Sequence, residues 1–164
     1  MYHDDVDKIA NTSANKVKIV EESFTKYFGR AVMAGIFIML ATILSYTIGG
    51  ILSPNYPEAA RISSAALFCF AIIAIVFFSA ELFTGNNFVM YIGILKKKVN
   101  IKSTLKILSY SFLGNFVGII IFAYMFVKSG VNFEAIKSYI EPIAYSKLDL
   151  SVLELVLRGI LCNF

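Results

Sequence analysis

The chain has 164 residues, of which 58% are hydrophobic and 16% are charged, and its mean hydropathy is +0.73. Ordinary soluble domains carry roughly 25% charged residues, so this composition excludes a water-soluble globular protein as the main class. The net charge of +4 comes from lysines that cluster at the ends of apolar segments, which indicates orientation in a membrane rather than binding to nucleic acid.

The first element is a predicted amphipathic helix over residues 1–28. Between Val6 and Phe28, apolar side chains alternate at helical spacing with charged ones, and Lys16 is among those assigned to the polar face. Such a helix is expected to lie on the cytoplasmic surface of the membrane. The polar start has no basic stretch followed by an apolar core, so a cleaved signal peptide is not predicted.

Two uncharged runs predict membrane-spanning helices. They cover residues 31–51 and 107–127, and each is long enough for the roughly 20 residues that cross a hydrocarbon core of about 30 Å. Gly114 and Gly118 lie at GxxxG spacing in the second run. This spacing indicates a helix face that makes close contact with another helix.

Between these runs, residues 62–95 contain a single charged side chain, Glu81. One straight helix of this length would reach roughly 50 Å, which exceeds the bilayer, so the segment must break. Thr84-Gly85-Asn86-Asn87 is the predicted place, because Gly and Asn tolerate left-handed backbone. We predict a membrane helix over 62–80, a break over 81–87 and a half-helix over 88–95.

The predicted break has two interpretations. Irregular backbone survives in lipid only where it is buried in protein or lines an aqueous cavity, and broken helices recur in transport proteins, so the break predicts a pore. The alternative is a span and a short amphipathic helix joined by a cytoplasmic turn.

Basic residues predict the orientation. They precede the first span and form the run Lys96-Lys97-Lys98, so the N-terminus and this loop are expected to be cytoplasmic. A fourth apolar helix starts at residue 150 and runs to 164, which is too short to cross a bilayer. We therefore expect 1–164 to be a single transmembrane domain that is incomplete at its C-terminus.

These motifs resemble the formate/nitrite transporter family, which includes hydrosulfide channels. The resemblance rests on AELFTGN (80–86), GNFVG (114–118), the lysine of YSKLDL (Lys147) and LRGILCNF (157–164). It implies an all-α membrane protein, an aquaporin-like inverted-repeat helical bundle with a broken second transmembrane helix. The first half and the start of the fourth span would be present. It also implies a homopentamer with one pore per subunit, located in the inner (plasma) membrane.

The resemblance implies roles for individual residues. The pore constrictions would be formed by apolar side chains, an inner pair and an outer pair: Leu82, Phe83, Phe68 and Ile72. The anion would be contacted or attracted by two polar side chains: Thr84 and Lys147. The broken loop would be braced by small and polar residues: Glu81, Gly85, Asn86 and Asn163. The alternatives are core packing for the apolar residues, a helix cap for Thr84, a solvated lysine in the connecting loop for Lys147 and an interfacial carboxylate for Glu81.

The implied function is a passive channel for small monovalent anions, namely formate, nitrite or hydrosulfide. The alternatives are a proton-coupled secondary transporter of the same anions and a membrane scaffold without transport. A proton shared in the vestibule would let a weak acid cross as a neutral molecule. The N-terminal helix would either lie at the cytoplasmic surface or act as a movable gate beneath the pore. The expected partners are these anions, the lipid bilayer and copies of the chain. No enzyme activity, cofactor, metal site or nucleic-acid partner is expected, because the sequence lacks the corresponding motifs.

Overall fold

A computed structural model of the chain describes residues 2–131 and 134–162, and within these ranges it contains seven helices. In chain order they are α1 Tyr2–Glu22, α2 Phe24–Leu52, α3 Pro57–Phe77, α4 Phe83–Leu95, α5 Ile101–Lys128, α6 Glu134–Leu148 and α7 Val152–Cys162. Three of them, α2, α3 and α5, are long and apolar enough to cross a membrane. α2 and α5 contain the predicted spans 31–51 and 107–127, whereas α3 ends three residues before the end of the predicted span 62–80.

The predicted helix over 1–28 is wrong at its C-terminal end. α1 stops at Glu22 and α2 begins at Phe24. Ser23 separates the two helices because its hydroxyl accepts a hydrogen bond from the backbone N–H of Lys26 at 3.3 Å, which is the geometry of a helix N-cap. The apolar residues after Ser23 therefore belong to the first long helix and not to an amphipathic one.

The chain forms two compact units, and the first contains residues up to Leu40 together with Phe70–Met125. Its apolar core consists of buried side chains from four helices: Val20, Tyr27, Met90 and Ile107. α1 packs directly against α4, since a Cβ built on Gly93 would overlap the side chain of Ser13. The N-terminal helix is thus an integral part of this unit.

The GxxxG contact predicted for α5 is confirmed. A Cβ built on Gly118 would overlap the backbone carbonyl oxygen of Val32, and one on Gly114 would overlap the side chain of Ala31. The two helices α2 and α5 therefore approach each other at backbone distance. Without a hydrophobic driving force in lipid, such close packing is what holds membrane helices together.

The second unit contains Ala41–Cys69 and the residues from Phe126 onward. Ser45 of α2 and Ser64 of α3 each donate a hydroxyl hydrogen bond to the other's backbone carbonyl, at 2.7 and 2.9 Å. The ring of Tyr139 in α6 lies so close to Gly49 that a Cβ there would overlap it. These small-residue contacts join the helices of this unit.

The segment that precedes the fourth predicted span is itself helical. Lys147, expected in a connecting loop, lies in the last turn of α6. α7 then begins after Ser151, whose hydroxyl oxygen accepts the backbone N–H of Glu154 at 3.4 Å while its own backbone N–H donates to a carboxylate oxygen of Glu154 at 2.9 Å. This reciprocal pairing is a capping box, and it fixes the start of α7.

Candidate functional site at the helix break

Residues 78–82, between α3 and α4, are not helical. Ser79 has a left-handed φ of 50°. Its N–H donates to the carbonyl of Val76 at 3.2 Å, and the N–H of Ala80 donates to the carbonyl of Ile75 at 2.9 Å. These two hydrogen bonds form a Schellman motif, which terminates α3 although the sequence there contains no glycine.

The position predicted for the break, 81–87, is therefore wrong over most of its length. Thr84, Gly85, Asn86 and Asn87 form the first turn of α4, and Leu82 is the extended residue before it, with φ −91° and ψ 130°. The N–H of Asn86 already donates to the carbonyl of Leu82 at 2.9 Å, as in a regular helix. Gly and Asn tolerate left-handed backbone but do not require it, and here they adopt helical backbone. The expectation that Gly85 braces a loop is wrong for the same reason.

Substitutions at Gly85 and Ser79 distinguish the observed break from the predicted one. Gly85→Ala should raise the free energy of unfolding by up to about 1 kcal/mol, because alanine favours helix and a Cβ at this position meets nothing within 4 Å. Ser79→Val should lower it by about 1 to 2 kcal/mol, since a β-branched residue is strained in left-handed backbone. Ser79→Gly is the matched control and should be neutral or stabilising. Unfolding of the full chain by sodium dodecyl sulfate in mixed micelles measures the free energy of unfolding of the three variants. A Gly85→Ala variant that is less stable than the wild type would indicate that the helix breaks at Gly85.

Asn115 of α5 holds the break in place. Its side-chain oxygen accepts the N–H of Phe83 at 2.9 Å, and its amide nitrogen donates to the carbonyls of Glu81 at 2.9 Å and Ala31 at 2.8 Å. The side chain is buried. One amide therefore satisfies two backbone groups that the interrupted helix leaves free and ties them to α2. Sequence reasoning missed this residue, although a lone amide inside the apolar GNFVG motif was the available signal.

The backbone of α2 completes the support for the break. The N–H of Glu81 donates to the carbonyl of Arg30 at 3.2 Å. Gly35 lies against the backbone of Asn115, and a Cβ there would overlap the Asn115 carbonyl group. The close approach of α2 to α5 thus brings the Asn115 amide within reach of both the break and α2.

Glu81 forms a buried ion pair with Lys16 of α1. The ammonium nitrogen lies 2.5 Å from a carboxylate oxygen, and the two side chains are only 15% and 5% exposed, respectively. The carboxylate was expected to bond loop amides, and its partner is instead a lysine assigned to the polar face of the N-terminal helix. That assignment is wrong for Lys16, because the side chain points into the protein and compensates the buried charge.

Asn86 donates its side-chain amide to the hydroxyl of Tyr27 at 2.9 Å, and both side chains are buried. Sequence reasoning expected Asn86 to bond freed backbone in the break. The observed partner is a side chain of α2, so Asn86 ties the first turn of α4 to α2. The tyrosine hydroxyl supplies the partner that a buried amide requires.

The structure places the remaining predicted site residues as follows. Leu82 and Phe83 are partly buried at the start of α4, where Thr84 is exposed. Phe68 and Ile72 lie on one face of α3 and are 42% and 51% exposed. Lys147 is exposed on α6. Asn163 lies outside the described residues.

The start of α4 is electrostatically positive. The first N–H groups of a helix have no partner within it and carry a partial positive charge. The N–H of Phe83 is bonded to Asn115, whereas Thr84 and Gly85, which follow it, are exposed residues. The break therefore presents backbone donors and a threonine hydroxyl beside the apolar side chain of Leu82.

Residues 3–164 match the family model described as Formate/nitrite transporter. The chain belongs to the formate/nitrite transporter family. The resemblance drawn from AELFTGN, GNFVG and the other motifs is thereby confirmed. The match covers the break, its support from Asn115 and the helix that carries Lys147.

Relatives in the formate/nitrite transporter family are similar along nearly the whole chain. An uncharacterized transporter of Bacillus subtilis (strain 168), YwcJ, is 30% identical over 158 residues, which is 96% of this chain and 62% of that protein. The nitrite transporter NirC of Escherichia coli (strain K12) is 25% identical over 165 residues, which is 100% of this chain and 60% of NirC. The chain thus spans about six-tenths of the length of these relatives, which are named as transporters and not as enzymes.

A solved structure described as an FNT family ion channel has the same fold. It superposes with a TM-score of 0.90 at 25% sequence identity and covers 98% of this chain and 64% of that chain. The predicted fold class, an all-α membrane protein with the architecture of the formate/nitrite transporter family, is therefore confirmed.

Proposed function

We propose that the protein conducts small monovalent anions, of the class of formate, nitrite and hydrosulfide, across the membrane as a passive channel. Family membership supports transport of such anions. The proposal rests on the interrupted helix. α3 is terminated at Ser79, and α4 begins at Phe83, whose N–H is hydrogen-bonded to the side chain of Asn115. Backbone of this kind is stable in lipid only beside protein or water, and it is the recurrent device of proteins that move ions.

The N-terminus of α4 is suited to weak, transient binding of an anion rather than to tight binding. A helix N-terminus carries about half a positive elementary charge, and Thr84 adds a hydroxyl donor at an exposed position. Leu82 beside it is apolar and cannot replace the water that an anion loses. The site thus attracts an anion but does not fully replace its hydration shell, so the anion binds weakly enough to leave, as conduction requires.

Apolar constrictions and lysine attraction would act in series. Phe68 and Ile72 share an exposed face of α3, which suits an outer constriction. The exposed Lys147 would raise the local concentration of anions before they enter. A weak acid that shares a proton inside the pore would pass the apolar residues as a neutral molecule, since removing water from the anion is expensive.

Glu81 favours a second candidate function, proton-coupled transport of the same anions. Buried carboxylates are frequent proton carriers in membrane transporters, and Glu81 is buried within the break. Two measurements in liposomes separate the candidates. A channel gives flux that does not saturate at low substrate and that continues when a protonophore removes the proton gradient. A coupled transporter saturates and cannot concentrate the anion without that gradient.

Thr84→Val should reduce formate or nitrite flux about tenfold. The substitution keeps the shape of the side chain and removes one hydrogen-bond donor, and one such bond contributes about 1.4 kcal/mol, a factor of ten. The measurement is stopped-flow anion uptake by the full chain in liposomes. Thr84→Ser should retain most of the flux and Thr25→Val, an exposed threonine of α2, all of it. Equal flux in Thr84→Val and wild type would remove Thr84 from the pathway.

Lys147→Glu should slow uptake severalfold at low ionic strength and much less at high ionic strength, because salt screens attraction between exposed charges. Lys137→Glu changes the same charge on the same helix, at another exposed position, and serves as the matched control. A Lys147 effect that is independent of salt, or that Lys137→Glu reproduces, would contradict steering by Lys147.

We further infer that the protein acts as a homopentamer in the plasma membrane with its N-terminus in the cytoplasm. Large apolar side chains of α3 and α5 are exposed, among them Ile73, Val76, Phe77 and Phe116, and such surfaces are suited to lipid, to another subunit or to further helices of the family fold. Native mass spectrometry of the detergent-solubilised protein tests the stoichiometry. Labelling of a cysteine introduced near the N-terminus tests the orientation.

A further inference from the structure

The lysine run after α4 does not act as a single unit. Lys96 turns back to α1, where its ammonium nitrogen lies 2.9 Å from a carboxylate oxygen of Asp7. Lys97 has a left-handed φ of 55°, and the N–H groups of Lys97 and Lys98 donate to carbonyls of α4 at 2.9 Å each. This Schellman motif sends the chain away from the helix axis. It leaves Lys97 and Lys98 on the wall of a cavity that Lys96 does not line.

This cavity, of about 530 Å³, lies between α1 and the connection from α4 to α5. Lys18, Lys97 and Lys98 line it. A second cavity of about 150 Å³ shares Val17, Glu21 and Ser103 with the first and adds Lys102 and Lys106. We call the two together the basic cavity. Five lysines thus surround it against one acidic side chain, so its potential is strongly positive.

The start of α5 adds to this potential. Asn100 caps the helix, with its side-chain oxygen accepting the N–H of Ser103 at 2.8 Å. Both residues line the basic cavity, so the positive end of α5 lies at its wall. Backbone donors, a serine hydroxyl and lysine ammonium groups together match the oxygens of a phosphate group.

Apolar side chains form the rest of the wall. Val17 and Val20 of α1 and Ile107 of α5 line the second cavity together with Lys102 and Lys106. On the same helix, Ile101 and Leu105 are exposed, and α5 is one of the helices apolar enough to cross a membrane. A free phosphate ion gains nothing from apolar walls, whereas a phospholipid brings both a phosphate and an apolar body. The wall therefore favours a lipid.

We propose that the basic cavity binds the phosphate headgroup of an anionic phospholipid and so fixes α1 and the α4–α5 connection at the membrane surface. Basic pockets between membrane helices are suited to such headgroups. Lys97 and Lys98 contact the phosphate from the connection and Lys102 from α5, while the acyl chains follow the exposed apolar face of α5. This site is independent of anion conduction, and it stands or falls separately from the proposed channel function.

The test uses the full chain, delipidated in a neutral detergent, and three probes: phosphatidylglycerol, phosphatidylcholine and inorganic phosphate. Phosphatidylglycerol should raise the Tm by several degrees and phosphatidylcholine should not, because ligands that bind only the folded state stabilise it. In Lys97→Gln/Lys98→Gln the affinity for phosphatidylglycerol should fall about 30-fold, at roughly tenfold for each 1.4 kcal/mol and about 1 kcal/mol for each lysine near a membrane surface. Native mass spectrometry counts the lipids that remain bound.

Lys8→Gln/Lys26→Gln is the matched control, since it removes the same charge from two exposed lysines outside the basic cavity, and it should bind as the wild type does. Lys102→Gln/Lys106→Gln tests the second part of the cavity in case the first pair disturbs folding. The proposal would be overturned if the two lipids raised the Tm equally. It would also be overturned if both double variants in the basic cavity bound phosphatidylglycerol as tightly as the wild type. An equal shift with inorganic phosphate would overturn it too, because this would then be a site for soluble anions.

Discussion

Replacement of Asn115 by leucine should lower the free energy of unfolding by about 3 kcal/mol and abolish anion flux. The substitution leaves three backbone groups without their observed partner, the N–H of Phe83 and the carbonyls of Glu81 and Ala31. A buried group that loses its partner costs about 1 to 3 kcal/mol, and values in membrane proteins fall toward the lower end. Leucine has a similar volume, so the loss would come from hydrogen bonding and not from a cavity.

Unfolding in mixed micelles, followed by circular dichroism, measures the stability, and flux is normalised to the folded fraction. Asn87→Leu is the matched control, because Asn87 belongs to the same neighbourhood in α4 but is only partly buried. It should change the free energy of unfolding by less than about 0.5 kcal/mol. An Asn115→Leu variant with wild-type stability would show that the break is held by something other than this amide.

Replacement of Lys16 by methionine should lower the free energy of unfolding by about 3 to 5 kcal/mol. The change leaves the Glu81 carboxylate buried without its counter-ion, and removal of one partner of a buried pair typically costs this much. The double variant Lys16→Met/Glu81→Gln should recover most of the loss, since it removes both charges. A double-mutant cycle in mixed micelles gives the coupling energy.

Lys18→Met is the control for the loss of a lysine from α1. Lys18 lies 3.7 Å from Glu22, but its side chain is 73% exposed, and exposed pairs contribute at most about 1 kcal/mol. The expected change is correspondingly small. If Lys16→Met and Lys18→Met lowered the free energy of unfolding equally, the Lys16–Glu81 ion pair would not be a particular source of stability.

The sequence predicts the long helices well because their signal is local. Runs without charge must cross the bilayer or be buried. α2 and α5 contain the uncharged runs 31–51 and 107–127, and α3 covers most of the predicted span 62–80. The GxxxG contact was also readable, since two glycines at this spacing have few other uses in an apolar helix. Family motifs then supplied the fold class that the structural match confirms.

The site is less predictable because its partners are far apart in sequence. Lys16 looked like one of several lysines on a polar helix face, and only the fold shows that it meets Glu81. Asn115 has the same difficulty, since its three bonds reach α2, the break and α4. The break was misplaced for a different reason. The prediction relied on Gly and Asn, which tolerate left-handed backbone. The helix instead ends at Ser79, which adopts left-handed backbone although serine is not a residue type that signals it.

The hydrogen bonds of Asn115 also bear on how the break behaves when it is dry. Buried polar groups without a protein partner are commonly satisfied by ordered water. Here a side chain does what solvent would otherwise do for Phe83 and Glu81. In the proposed channel, the loop would therefore keep its form whether or not the neighbouring space holds water, and the hydration of the permeating anion would set the barrier.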